Sequence, residues 1–223
     1  MTHTGTALLV LAFVVSIGSA ASVRAAEEQD PILEEVAKYI AEEPPDPGDP
    51  AWRTALPDPP FLTFDAAKKY FWVLETSEGT LRFEFYPDIA PLHVSNAIYL
   101  TQLGFYDGLD FHRIIRGFMA QSEDPSGTGA GGPGYQFGGE FTKDRRGKHR
   151  KTGVLSTPNR GPGTDGSQFF VMFKPVKGLD GKHTVFGQMV EGKKTLKNLD
   201  KQGSKKGTPK TSVTILSARV VVE

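Results

Sequence analysis

The chain has 223 residues, a length that fits one domain with room for an appendage, and its 26 Lys and Arg balance 26 Asp and Glu. A neutral chain has no bulk attraction to nucleic acid or to an anionic membrane. Apolar residues make up 38%, enough for a core, and the absence of cysteine excludes disulfides, thiolate nucleophiles, Cys-based metal sites and lipid attachment through sulfur.

No Lys, Arg, Asp or Glu precedes Arg24, and residues 7–15 read ALLVLAFVV before a run of small residues. That order is the signature of a secretory signal peptide over 1–26, cleaved between Ala25 and Ala26 or after Ala26. An uncleaved membrane anchor is the alternative, but the apolar stretch falls short of the ~20 residues a spanning helix needs. The expectation is export to a periplasmic or extracellular location, with no membrane span left after cleavage.

Residues 27–61 form an acidic arm and a linker. Positions 27–50 hold nine acids and one base, whereas 51–223 hold 24 bases and 17 acids. Ile32, Leu33, Val36 and Ile40 share one face of a short helix over 31–42, with Pro31 suited to its first turn. Seven prolines in 44–60 then forbid a continuing helix. The arm is either a solvated spacer or a segment docked on the basic domain through its Ile/Leu/Val stripe.

The folded domain is expected over 62–223. Residues 70–75 and 80–86 read as strands joined by a Ser-Glu-Gly hairpin signal. A helix is predicted over 90–103, with Pro91 near its start. Further strands are predicted at 111–115, 118–121, 154–156, 168–173 and 184–190, then a helix over 192–199 and a closing strand over 212–222. Many short strands with two helices point to a closed antiparallel barrel or a sandwich.

Several motifs fail on their physics. Gly127, Gly129 and Gly132 match G-x-G-x-x-G, but no buried strand precedes them and Pro133-Gly134 break the helix a pyrophosphate would need. Gly187 to Lys193 resembles a P-loop, yet Lys194 stands where the Mg²⁺-binding Ser/Thr belongs. The five histidines are scattered, so no metal site is expected. Residues 143–151 carry six Lys/Arg without interleaved aromatics and read as a solvated loop, as do seven lysines over 193–210.

Two ordered blocks remain. The first runs GFYDGLDFHRI over 104–114 and continues through Phe118-Met119-Ala120-Gln121 into a glycine-rich stretch over 124–141. The second joins VLSTPN at 154–159, GSQFF at 166–170 and LDGKHTVFG at 179–187. Together they resemble the cyclophilin family of peptidyl-prolyl cis/trans isomerases, over roughly 70% of the chain. The resemblance implies a mainly β fold, a closed eight-stranded antiparallel β-barrel capped by two α-helices, with the site on one outer face. The glycine-rich stretch becomes a structural loop beside that site, its glycines supplying positive φ.

Rotation about an X–Pro amide must lose C–N double-bond character against a barrier of ~18–20 kcal/mol. No bond is made or broken, so no nucleophile, metal or cofactor is required. The proline nitrogen becomes pyramidal in the transition state, and a fixed donor aimed at its lone pair binds the twisted form best. By resemblance, Arg113 is the catalytic arginine. Phe118, Met119, Phe170 and Leu179 form the pocket for the proline ring, Gln121 and the backbone of Asn159 hold the substrate main chain, and Gln168 and His183 line the site. Taken singly these residues have ordinary roles: core aromatics, a solvated Gln, a structural His, a strand-face Arg. Their joint occurrence within the flanking motifs is what marks a site.

The implied partners are proline-containing polypeptides, with no nucleic acid. Nothing demands an oligomer, so a monomer assisting protein folding outside the cytoplasm is expected. The rival is a non-catalytic module that keeps the pocket only to recognise partner loops. Five positions depart from the family pattern: Arg116 replaces a usual Pro, Ser122-Glu123 a usual Gly-Gly, Pro158 a common Ala, and Gly178 an aromatic that helps bind cyclosporin. Weak cyclosporin binding is therefore expected.

Overall fold

The computed structural model describes residues 30–122 and 131–223. The expectations for 1–26 therefore lie outside the described residues. Eight strands, β1 (Tyr70–Thr76), β2 (Gly79–Phe85), β3 (Arg113–Ile115), β4 (Met119–Ser122), β5 (Val154–Ser156), β6 (Phe169–Met172), β7 (Val185–Glu191) and β8 (Ile215–Val222), form one sheet in the order β3-β4-β6-β5-β7-β2-β1-β8. Every pairing between named strands is antiparallel. Three α-helices are described: α1 (Pro31–Glu42), α2 (Pro91–Gln102) and α3 (Lys193–Gln202). The last runs three residues past the predicted 199, with Thr195, Leu196 and Leu199 buried and the lysines on its other face exposed.

The fold is mainly β and antiparallel as expected, but "closed" overstates it. The edge strands β3 and β8 do not pair with each other. The seam between their flanks is held by one isolated bridge, Asp110 to Thr214, with Phe111 N–H donating to the Val213 carbonyl and Ile215 N–H to that of Leu109, both at 2.8 Å. The predicted 111–115 and 212–222 strands accordingly shrink to Arg113–Ile115 and Ile215–Val222.

The interior is filled by aromatic rings around Trp72, which meets Tyr106 and Phe169 edge-on with centroids 5.0 and 4.8 Å away. Register follows from the hydrophobic pattern: Trp72 faces Phe83 and Leu74 faces Leu81 across the first hairpin, all four fully buried. Helix α2 packs over β7 and β8, and α3 over β2, β3 and β4. A helix buried nearly all round must pair its polar groups. In α2, Ser95 Oγ donates to the Pro91 carbonyl and accepts from Leu62 N–H, and Thr101 Oγ1 accepts from Trp72 Nε1 at 2.9 Å. Asn96 donates to the Gly166 carbonyl and accepts from Tyr135 at 2.6 Å, so the helix reaches directly into the loops that carry the site.

The acidic arm lies against this domain. Ile32, Leu33 and Val36 belong to the main hydrophobic cluster, with Tyr39 and Ile40 packed on it. Asp30 caps α1 by accepting from Ile32 N–H and also pairs with Lys68 Nζ at 2.6 Å. The linker continues over the surface, with Tyr39 donating to the Asp58 carbonyl and Leu56 N–H to that of Pro133.

Of Gly132, Gly134, Gly138 and Gly139 in the glycine-rich stretch, only Gly134 takes a positive φ, +106°. Its need is a close approach: a Cβ there would lie 2.8 Å from the Thr54 carbonyl oxygen in the linker.

Candidate active site

Strand β6 reads as a continuous apolar run because both its faces are covered. Phe169 and Val171 point into the main core, while Phe170 and Met172 point outward into a second cluster with Met119, Val154 and Val185. Ile115, Phe118, Val176 and Leu179 are half-buried at its edge. A barrel wall with an apolar cluster on its outside offers a hollow lined by aromatic and aliphatic groups. Met119 and Phe170 form its floor, and Phe118 and Leu179 reach the surface.

The register sets charge beside this hollow. Arg113 faces Gln121 across β3 and β4, and Gln121 faces Phe170 across β4 and β6. Directly opposed residues project from the same face, so guanidinium, amide and aromatic ring stand in one row on adjacent strands ~4.8 Å apart. Arg113 is exposed, and its Nη1 donates to Gln121 Oε1 at 3.2 Å. Gln121 Nε2 donates to Gln168 Oε1 at 2.8 Å, and Gln168 Nε2 to the Gly131 carbonyl at 2.9 Å. Each amide in this relay donates to the next, which orients the arginine fork and polarises its acceptor. Residues 204–207 run along the β3 edge, with Ile114 N–H donating to the Gly207 carbonyl at 2.7 Å.

The far wall comes from two loops. Asn159 Nδ2 donates to the Lys182 carbonyl at 2.8 Å, tying the loop after β5 to the one that carries Leu179 and His183. His183 Nδ1 lies 3.2 Å from the Thr157 carbonyl and so carries the proton there, leaving Nε2 as an acceptor. Its ring stands edge-on to Phe170, centroids 5.7 Å apart, and burial pushes its pKa down. The structure thus brings Arg113, Phe118, Met119, Gln121, Asn159, Gln168, Phe170, Leu179 and His183 to one outer face. A second cavity, about 290 Å³ in volume, adjoins the amide pair and is lined by Gln121, Gln168, Asn159, Pro158, Arg160 and Tyr135.

Sequence reasoning missed His149. It is fully buried, its ring lies parallel to Phe170 with centroids 6.0 Å apart, and it bridges Asp180 and Ser156 beneath the hollow. Asp180 also accepts from His149 N–H at 2.8 Å, so the carboxylate after Leu179 anchors the pocket loop. Burial lowers the His149 pKa despite that carboxylate. Only the LDG of 179–181 hinted at such an anchor, since the histidine is thirty-one positions away.

Of the departures from the family pattern, Arg116, Ser122 and Gly178 are accommodated, while Glu123 lies outside the described residues. Arg116 N–H donates to the Ser204 carbonyl at 3.1 Å, a bond a proline there would forfeit. Ser122 is buried, with its hydroxyl donating to the Asp110 carbonyl. Gly178 is exposed and has open space where a side chain would stand. The basic run 143–151 is largely exposed, Arg146 pairing with Asp88 and Asp144. Among the described residues, no cluster of His, Asp or Glu is placed to hold a metal ion, and no helix is long and apolar enough to cross a membrane.

Residues 71–220 match the family described as cyclophilin type peptidyl-prolyl cis-trans isomerase/CLD. The chain is 46% identical over 155 residues to peptidyl-prolyl cis-trans isomerase-like 1 of Gibberella zeae, covering 68% of this chain and 94% of that relative. It is 45% identical over 144 residues to peptidyl-prolyl cis-trans isomerase-like 2 of Cryptococcus neoformans; the match covers 62% of this chain and a quarter (25%) of that protein's length. A crystal structure of a Cryptosporidium parvum cyclophilin type peptidyl-prolyl cis-trans isomerase, determined in the presence of the dipeptide Ala-Pro, superposes with a TM-score of 0.64 at 30% identity, covering 68% of this chain and 98% of that one. With the row of Arg113, Gln121 and Phe170 beside an apolar hollow on the barrel wall, the chain belongs to the cyclophilin-type peptidyl-prolyl cis-trans isomerase family.

Proposed function

We propose that the chain catalyses cis/trans rotation about X–Pro bonds in polypeptides, with Arg113 as the catalytic residue. The observation that carries this reading is the guanidinium held by Gln121 at the border of the apolar hollow. A proline ring seated against Phe118, Met119, Phe170 and Leu179 loses water and is fixed, so the remaining chain turns about the amide. Arg113 then donates to the proline nitrogen as it becomes pyramidal, an interaction absent from either planar form. Gln121 and Asn159 hold the substrate main chain, while Gln168 and His183 shape the wall. The Ala-Pro dipeptide used with the Cryptosporidium parvum relative is the simplest such ligand.

A coupled isomerisation assay on a short X-Pro peptide tests the reading. Arg113→Ala is expected to lower kcat/KM by about 10²-fold, the scale for one preorganised donor. Equal, near-background rates for both proteins would leave the binding-module reading.

The export expectation is part of the same proposal: the chain assists folding outside the cytoplasm as a monomer after loss of residues 1–26. Its support is the run of apolar and then small residues before Ala26. N-terminal sequencing of the mature protein checks it, and a mature chain that keeps residue 7 would refute cleavage.

A further inference from the structure

Among the described residues, the charge around the hollow is one-sided. Four segments frame it: 113–122, 157–168, 173–183 and 203–210. They hold nine Lys and Arg and two carboxylates, Asp165 and Asp180. Neither carboxylate faces solvent as a free charge. Asp165 is 1% exposed and engaged with His93, and Asp180 is tied to His149 and Arg150. Asp200 on α3 accepts from Gly117 N–H at 2.6 Å.

Each of these four segments carries cations. Arg160 lines the second cavity beside Asn159. Lys177 and Lys182 flank Leu179 and are exposed, with the Lys182 carbonyl held by Asn159. Arg116 lies on the β3 side, and Lys205 and Lys206 immediately precede Gly207, whose backbone packs on the Arg113 side chain. A low-dielectric hollow bordered mainly by one sign of charge focuses the field on what enters it. The arrangement also contrasts with the acidic segment 27–50, so it is a local feature and not a consequence of net charge.

We propose that this cationic rim selects its clients: proline segments carrying Asp or Glu within a few residues of the proline are preferred over those carrying Lys or Arg. The inference rests on the isomerase reading for the identity of the ligand as a proline-containing chain. Each acidic flank gains an attraction in the hollow's field, and each basic flank meets like charge.

The test uses the full chain and three peptides that differ only in the residues flanking one X-Pro bond, bearing Glu, Ala or Lys. At about 0.01 M salt, where screening extends over ~30 Å, kcat/KM for the Glu peptide should exceed that for the Lys peptide by about tenfold. At about 1 M salt, with a screening length of ~3 Å, the ratio should fall to within about twofold. Lys177→Glu combined with Lys182→Glu should reduce or invert the low-salt ratio, which is the quantity read, whatever the rate on either peptide. Calorimetric binding of the same peptides gives the ratio without turnover. A chain that binds but does not isomerise would therefore refute the isomerase reading while still deciding the charge preference. Equal kcat/KM and equal affinity for the Glu and Lys peptides at low salt would overturn the proposal.

Discussion

Arg113 owes its position to a glycine as much as to its own strand. Gly207 takes φ +96°, and a Cβ there would lie 3.1 Å from Arg113 Cγ and 3.5 Å from its Nε. A side chain at 207 meets two obstacles, the left-handed backbone and the arginine stem. Gly207→Val is expected to cost about 1–3 kcal/mol of stability in urea unfolding and to lower kcat/KM by displacing the guanidinium. Wild-type activity in a folded Gly207→Val protein would show that the arginine does not depend on this contact. Gly178 is the opposite case, exposed, without positive φ, and with nothing within 4 Å of a Cβ. Gly178→Trp should leave stability within about 0.5 kcal/mol of the wild type. It should also raise cyclosporin affinity, measured by calorimetry, above that of the unsubstituted chain, for which weak binding is expected; tight cyclosporin binding by the unsubstituted chain would contradict this account.

Among the elements, α1 shows how a stripe of four apolar residues can join a polar, acidic segment to a domain of opposite charge. Val36 is fully buried, whereas the Lys68–Asp30 pair is partly exposed on the lysine side. Burial of a side chain such as Val36 contributes ~1.5–3 kcal/mol, whereas a solvent-accessible ion pair is screened by water and salt, so packing decides the docking. Val36→Asp should therefore release α1 and speed proteolysis near Glu43, while Lys68→Ala should change that rate little. Equal effects would mean that charge holds the arm. The stripe was legible because helical spacing is local. Its burial was not, since that depends on α2 and on Gln102 donating to the Leu33 carbonyl. The same division runs through the site. Phe170 and Arg113 were readable from their flanking motifs, but the outward cluster around Met172 and Val185 arises only when β4, β5, β6 and β7 are placed side by side. His149 was invisible because its partners Asp180 and Ser156 come from different segments. The strand ends beside the barrel seam were overcalled because alternation persists in the chain where the ladder stops.

At the scale of the whole molecule, stability is linked to pH by two buried histidines and a half-buried one, working in opposite directions. His93, on α2, is 2% exposed and lies between two carboxylates, Glu140 at 2.6 Å from Nδ1 and Asp165 at 2.9 Å from Nε2. Glu140 also accepts from the Leu92 and His93 amides, and Asp165 belongs to the loop that lines the second cavity, so one imidazolium joins α2 to two distant segments. Desolvation opposes charge on His93, but its hydrogen bonds to Asp165 and Glu140 outweigh it and its pKa is raised. A raised value means that the folded state holds the proton more tightly than the unfolded chain. The stabilisation is therefore complete below the ordinary imidazole value of about 6.5 and is lost as pH rises through the folded value. His149 and His183 are shifted down by burial, so their contribution is complete above about 6.5 and is lost as pH falls through their folded values. The urea midpoint of the wild type should thus decline on both sides of neutrality. His93→Leu leaves two carboxylates without their cation and should cost about 3–5 kcal/mol at pH 6. In His93→Gln the amide replaces one hydrogen bond without a titrating proton, so the alkaline decline should flatten while the acid-side decline remains. An unchanged alkaline slope in His93→Gln would show that the cluster does not couple folding to proton binding.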